Sequence, residues 1–90
     1  MNDTLIAPAT AQPWITPRIA STREHLIRAA DQLWRVQDNG SGRVLGHLRV
    51  ATDPLGLRYR AERLHLESGV FRLVGEFWRV DDAISALRYS

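Results

Sequence analysis

Three histidines, an Asp-Asp pair, a Gly-Ser-Gly turn and twelve arginines are the parts of this 90-residue chain with the means to do chemistry. A metal site needs several donors at fixed spacing. His25, His47 and His65 form no H-x-x-x-H pair, and no carboxylate cluster stands beside them. Cysteine is absent, which excludes disulfide scaffolding, thiolate metal sites and thiol or redox catalysis. Gly40-Ser41-Gly42 lacks the lysine and the spacing of a P-loop and suits a hairpin turn instead. Asp81-Asp82 fits a helix start, where carboxylates meet the positive end of the helix dipole, better than a paired-carboxylate acid and base. No Ser-His-Asp set is apparent, although a triad need not be adjacent in sequence. The expectation is a non-enzymatic domain with no metal and no cofactor.

The arginines remain. All twelve basic residues are Arg and none is Lys, against ten carboxylates, for a formal net charge of +2. A GC-rich coding sequence would account for the bias, and the chemical consequence holds either way. Every cation here is a planar fork able to stack on rings and to bind phosphate or carboxylate bidentately. A net charge of +2 does not by itself argue for nucleic acid, so the question becomes where the arginines sit.

The elements that place them follow from periodicity. Residues 1–20 read as a flexible tail, with Pro8, Pro13 and Pro17 interrupting small and polar residues. Within it, Pro13-Trp14-Ile15 is either a stray aromatic or a segment that docks. Residues 21–90 read as one domain. Ser21-Thr22-Arg23-Glu24 has capping-box spacing, and the apolar positions after it predict a helix over about 22–32. From Leu33 to Phe77 the period shifts to two. Turn residues at 38–42, 52–56 and 67–69 divide the stretch into strands at about 33–37, 43–50, 57–66 and 70–77. Ala83, Ile84, Ala86 and Leu87 then form the inward stripe of a short last helix. The predicted fold is α+β: a four-stranded antiparallel meander packed on a C-terminal helix, preceded by an N-terminal helix.

Pairing Gln37 with Arg43, Val50 with Leu57 and Leu66 with Val70 places Trp34, Val36, Val44, Gly46, Leu48, Val50, Leu57, Tyr59, Ala61, Phe71, Leu73, Gly75 and Phe77 on one face. That face is the expected core, with Trp34 over a trough of Gly46, Ala61 and Gly75 into which the last helix packs. The opposite face collects Arg35, Arg49, Arg58, Arg60 and Arg72 against Glu62 and Glu76. Five positive charges less two negative leave that face at +3, with His47 and Trp78 among them. Arg49 facing Arg58 is a repulsion that an anionic partner would relieve, and Trp78 could stack on a base or on an arginine plane. The far end of this face is apolar, with Leu45, Leu64 and Val74 and with Leu33 nearby. The N-terminal helix, the Trp14 segment, a partner protein or a second copy must cover it.

Leu57-Arg58-Tyr59-Arg60-Ala61-Glu62, Leu73-Val74-Gly75-Glu76-Phe77 and Asp81-Asp82-Ala83-Ile84-Ser85-Ala86-Leu87 together resemble the second half of AP2-type and integrase arm-type DNA-binding domains. The resemblance covers about 30 residues of the chain. It implies a sheet laid in the major groove and backed by the helix, with Arg58 and Arg60 at outward, DNA-contacting positions and Trp78 following the phenylalanine. The chain departs from those families in its fourth strand, in lacking a basic first strand, and in placing Glu62 and Glu76 on the would-be DNA face. Trp34-Arg35-Val36, Val44-Leu45-Gly46 and Gly75-Glu76-Phe77-Trp78 also look like small uncharacterised proteins of GC-rich bacteria, a resemblance that brings no activity with it.

Two functions follow as expectations. One is DNA or RNA binding by Arg49, Arg58, Arg60 and Arg72 with Trp78 as stacking contact. The other is a protein-interaction or homodimerisation module using Leu45, Leu64, Val74 and Trp14 with the arginines as polar rim. No apolar run reaches the roughly 18 residues of a membrane span, and Met1-Asn2-Asp3-Thr4 lacks the basic patch and apolar stretch of a secretory signal. The sequence therefore reads as soluble and cytoplasmic.

Overall fold

Alternating apolar residues need a sheet to share, and the computed structural model, which describes residues 16–90, builds one sheet from five strands. These are β1 (Glu24–Ala30), β2 (Leu33–Asp38), β3 (Val44–Asp53), β4 (Gly56–His65) and β5 (Val70–Phe77), and α1 (Val80–Tyr89) closes the chain. The strands lie in sequence order and every neighbouring pair is antiparallel. Among the described residues, no helix is long and apolar enough to cross a membrane. The Trp14 segment lies outside the described residues.

The expected N-terminal helix is a strand. Leu26 pairs with Val36 and Ile27 with Arg35, so β1 extends the sheet instead of lying across it. The turn responsible, Asp31-Gln32, carries no glycine or proline. Gln32 supplies the left-handed backbone itself, with φ 56°, an uncommon state for a residue with a side chain. Eleven residues are also marginal for a helix without tertiary support, and pairing with β2 wins. The Ser21/Glu24 spacing does bring the two side chains together, but in the lead-in to a strand: Ser21 Oγ donates to Glu24 and accepts from the Arg23 N–H. Residues 16–20 are not a detached tail either. Ile19 packs against the core, and the amides of Ala20 and Ser21 both donate to Asp81, at 3.1 and 3.2 Å.

The three turns legible in the sequence form, with altered register. Asp53 accepts from the Leu55 amide at 2.8 Å, so Pro54-Leu55 alone turn the chain and β3 and β4 pair as far as Asp53↔Gly56. Val50 consequently faces Tyr59 rather than Leu57. A two-residue slip leaves each side chain on its face. Two bulges do not. Between β2 and β3 the register shifts after Val36↔Gly46 to Gln37↔Val44, which leaves Val44 exposed and brings Leu45 into the buried cluster. Between β4 and β5 it shifts from Ala61↔Gly75 to Glu62↔Leu73. Val74 then packs against the core while Leu73 and Phe71 move to the other face, because an extra residue inverts everything beyond it. Leu57, also assigned to the core face by the sequence, is exposed.

Val36, Leu48 and Ala61 meet Ala83, Ile84 and Leu87 of α1 to form the core, and Leu45 completes it. Trp34 is buried on the same side, opposite Leu48 and diagonal to Gly46. The close approach expected at the small residues is present. A Cβ on Gly46 would stand 2.6 Å from Leu87 Cδ2 and 2.9 Å from the Glu62 carbonyl oxygen. Beside it, Arg88 donates from Nε to Glu24 and from Nη2 to Asp38, at 2.6 Å, tying the last turn of α1 to the start of β1 and the end of β2. Arg63 Nη2 donates to the Leu87 carbonyl at 2.7 Å, satisfying one of the helix's terminal acceptors.

These contacts yield two expected outcomes. Leu87→Ala should cost about 2–5 kcal/mol in urea unfolding. Gly46→Ala should destabilise the parent but cost much less in the Leu87→Ala background, and equal costs in both backgrounds would contradict the close approach. The second outcome concerns acid. The Arg88 guanidinium, helped by the Ser41 amide and hydroxyl, holds the Asp38 carboxyl well below the usual carboxylate range. A depressed carboxylate stabilises the fold above its unfolded pKa of about 3.9, and that stability disappears as pH falls through the folded value. Urea midpoints measured from pH 5 down to pH 2 should therefore fall more steeply for the parent than for Asp38→Asn.

Candidate functional site on the uncovered sheet face

Because α1 occupies one side of the sheet, whatever this domain presents from the sheet is on the other. Alternation along β2, β3, β4 and β5 sends Arg35, His47, Arg49, Arg58, Arg60, Glu62 and Glu76 to that side, as the sequence pattern requires. No helix among the described residues covers it.

The register decides how these charges meet. Arg49 faces Arg60, not Arg58, and Arg58 stands opposite Ala51 near the turn. Arg49, Arg58 and Arg60 each find carboxylates. Arg49 Nε donates to both oxygens of Glu62, at 3.0 and 3.1 Å, and Glu62 is only 5% exposed. Arg60 Nε lies 3.7 Å from Glu62 and 3.8 Å from Glu76. Arg58 donates to Glu76 at 3.1 Å and lies 3.3 Å from Asp53. The result is a chain of alternating sign, Asp53–Arg58–Glu76–Arg60–Glu62–Arg49. Three positive and three negative charges cancel along it, and Arg35, which stands outside the chain, leaves this side at +1 rather than the +3 expected from sequence. A turn spanning 52–56 would take Asp53 out of the strand and so out of that count. The tight Pro54-Leu55 turn is the signal that places it beside Arg58.

Arg72 is absent from the network. The β4–β5 bulge pairs it with Arg63 on the α1 side of the sheet. Trp78 is exposed, and its ring already carries the Arg58 guanidinium at 3.9 Å, the arginine-plane alternative read from the sequence. Phe71, displaced to this face by the same bulge, sets its ring edge-on to His47 at 5.0 Å and beneath Arg49 at 5.4 Å. Burial lowers the His47 pKa from its ordinary value, and the charges of Arg35 and Arg49 lower it further against the opposing pull of Glu62. The imidazole is therefore neutral at pH 7.

Of the apolar residues assigned to this face, Leu45 is buried and Val74 is half-buried in the core, while Leu33 is buried. Leu64 remains, 39% exposed, and Leu73 joins it at 53% and Leu66 at 85%. Next to them Arg35, Val44, Leu45, Gly46, His47, Arg63, Leu64 and Leu66 line an open groove of about 470 Å³. Among the described residues, no three His, Asp or Glu side chains gather as a metal site would require.

The chain matches no protein-family model, no curated protein and no solved structure.

If the carboxylates hold the arginines, releasing one should be measurable. Asp53→Asn with Glu76→Gln strips Arg58 of both partners. Its affinity for duplex DNA should rise above the parent's, and the log–log salt dependence should steepen by roughly one to two. Fluorescence anisotropy over a salt series checks this, and superimposable curves would contradict the restraint.

Proposed function

We propose that this chain is a small non-catalytic interaction module that docks another protein surface on its uncovered sheet face, at Leu64, Leu66 and Leu73. The observation that carries this reading is the exposure of those three leucines on a face where Arg49, Arg58 and Arg60 are paired with carboxylates of the same face. An apolar cluster beside a polar border of mutually paired charges has the make-up of an interface core with its rim. A partner needs no strong opposite charge to approach it, because Arg49, Arg58 and Arg60 are already offset by Glu62, Glu76 and Asp53.

The nucleic-acid alternative fits this arrangement less well. Phosphates would have to displace three carboxylates to reach the arginines, and a base would have to displace Arg58 from Trp78. The AP2-type and integrase arm-type resemblance belongs to that alternative.

Photo-crosslinking separates the two. A photoreactive residue at Leu73 should join this chain to polypeptide in living cells, whether a second copy or another protein. The same residue at Leu55, exposed on the opposite turn, should not. Leu64→Asp should abolish the Leu73 adduct. Adducts with nucleic acid, or none above the Leu55 level, would overturn the proposal.

A further inference from the structure

Where β3 and β4 part, the uncovered face is left with main-chain groups that no strand answers. Their ladder ends at His47↔Glu62, so Val44–Gly46 and Arg63–Leu64 are unpaired across the groove. Alternation decides which groups point into it. Val50 donates its amide to the Gln32 carbonyl at 2.9 Å, and Asp38 donates to that of Arg43 at 2.8 Å. The main chain of Gly46 therefore turns to β2, and that of Val44, opposite Gln37, turns away from it into the groove. On β4, the His65 carbonyl accepts from Gly69 on the β5 side, at 2.8 Å. Leu64, one residue earlier, turns its own N–H and C=O toward β3. The Leu45 carbonyl is taken by Arg63 Nε at 3.5 Å, whereas the main-chain groups of Val44 and Leu64 have no ladder partner.

The lining adds charge of one sign. It holds cations and no acid. Arg35 is exposed and has no carboxylate within 4 Å among the described residues, so the excess positive charge of this face stands at the groove. Arg63, on the other wall, donates to main-chain oxygens of Leu87 and Ser90, at 2.7 and 3.5 Å. His47 contributes a buried Nδ1 with no hydrogen-bond partner. An occupant must therefore bring a negative charge, apolar groups for Val44, Leu64 and Leu66, and amides and carbonyls of its own. A simple apolar anion brings the first two and leaves the main chain of Val44 and Leu64 unanswered out of water, which is costly. An extended polypeptide brings all three. The groove follows Val44 to His47, about 13 Å of extended chain, which gives room for about four guest residues.

We propose that this groove receives an extended acidic segment of the docking partner, with its main chain bonded to Val44 and Leu64, its apolar side chains against Leu64 and Leu66, and a carboxylate on Arg35. The inference rests on the docking reading above and deepens it by naming the kind of segment the face takes. In strand addition the main-chain hydrogen bonds give affinity and the side-chain pockets select the sequence. Guanidinium and carboxylate add charge-assisted, bidentate hydrogen bonds.

The probe is a displayed library of random short peptides, selected on the whole protein and counter-selected on Arg35→Gln, a change at an exposed side chain. Enriched peptides should carry Asp or Glu among apolar residues. Once synthesised, they should bind Arg35→Gln about tenfold more weakly than the parent. Exchanging their acid for the corresponding amide should cost a similar factor on the parent and little on Arg35→Gln. In the complex, the amides of Val44 and Leu64 should gain protection from hydrogen exchange. Protection at Leu73 instead, on the free edge of β5, would put the peptide on the sheet edge and overturn the groove. Protection of Val44 and Leu64 already present in the free protein would mean that the chain fills its own groove, and overturns the proposal as well. No enrichment, enrichment of basic or uncharged peptides, or equal affinity for Arg35→Gln would do the same. In cells, Arg35→Gln should weaken the Leu73 adduct. An undiminished adduct without peptide binding in the groove removes this inference and leaves the docking reading standing, whereas absence of the adduct in the parent removes that reading itself.

Discussion

The architecture depends on how closely α1 can approach the sheet at Gly46. Leu87 occupies the space a β-carbon would take, and its neighbour Arg88 reaches Glu24 and Asp38 from the same turn. Two adjacent residues therefore fasten the helix, one by shape and one by charge. The apolar contact excludes water around the ion pairs, which strengthens them, and the ion pairs fix the rotation that aims Leu87 at the glycine. Asp81 at the other end of the helix secures the incoming chain through the amides of Ala20 and Ser21. With α1 held at both ends on one side, the opposite side of the sheet is left for other uses.

That opposite side is governed by neutralisation. Arginines on neighbouring strands repel unless carboxylates interleave, and the observed register interleaves them from Asp53 to Arg49. Surface pairs of this kind contribute little stability one by one, but they determine what the face offers to a partner. Arginines that would otherwise attract phosphate are committed to Glu62 and Glu76. The exposed leucines and the groove beside Arg35 are then the least satisfied parts of the face.

Much of this was readable from residue order. Asp38 through Gly42, Asp53-Pro54 and Ser68-Gly69 announce turns, and the strands between them alternate cleanly enough to place Trp34, Val36, Leu48 and Ala61 inside. Asp81-Asp82 marks the start of α1 correctly to within a residue. Four strands of the five and the packing of the helix over Gly46 follow. What escaped was the turn at Gln32, because a glutamine in left-handed conformation carries no local signature. Without that turn, Leu26 and Ile27 satisfy a helical period as well as they satisfy a strand.

The sequence by itself determined the alternation, the turns, the helix and the identities of the charges, because each depends on residues a few positions apart. The tertiary structure alone decided which charges meet. Two bulges, at Leu45 and Val74, and a turn tightened to Pro54-Leu55 set the pairing between strands. One extra residue in a strand exchanges its faces, and a two-residue slip exchanges its neighbours. Twelve arginines against ten acids fixed a small net charge, and the register determined that Arg58 would stack on Trp78 and pair with Glu76 while Arg35 stayed without a carboxylate.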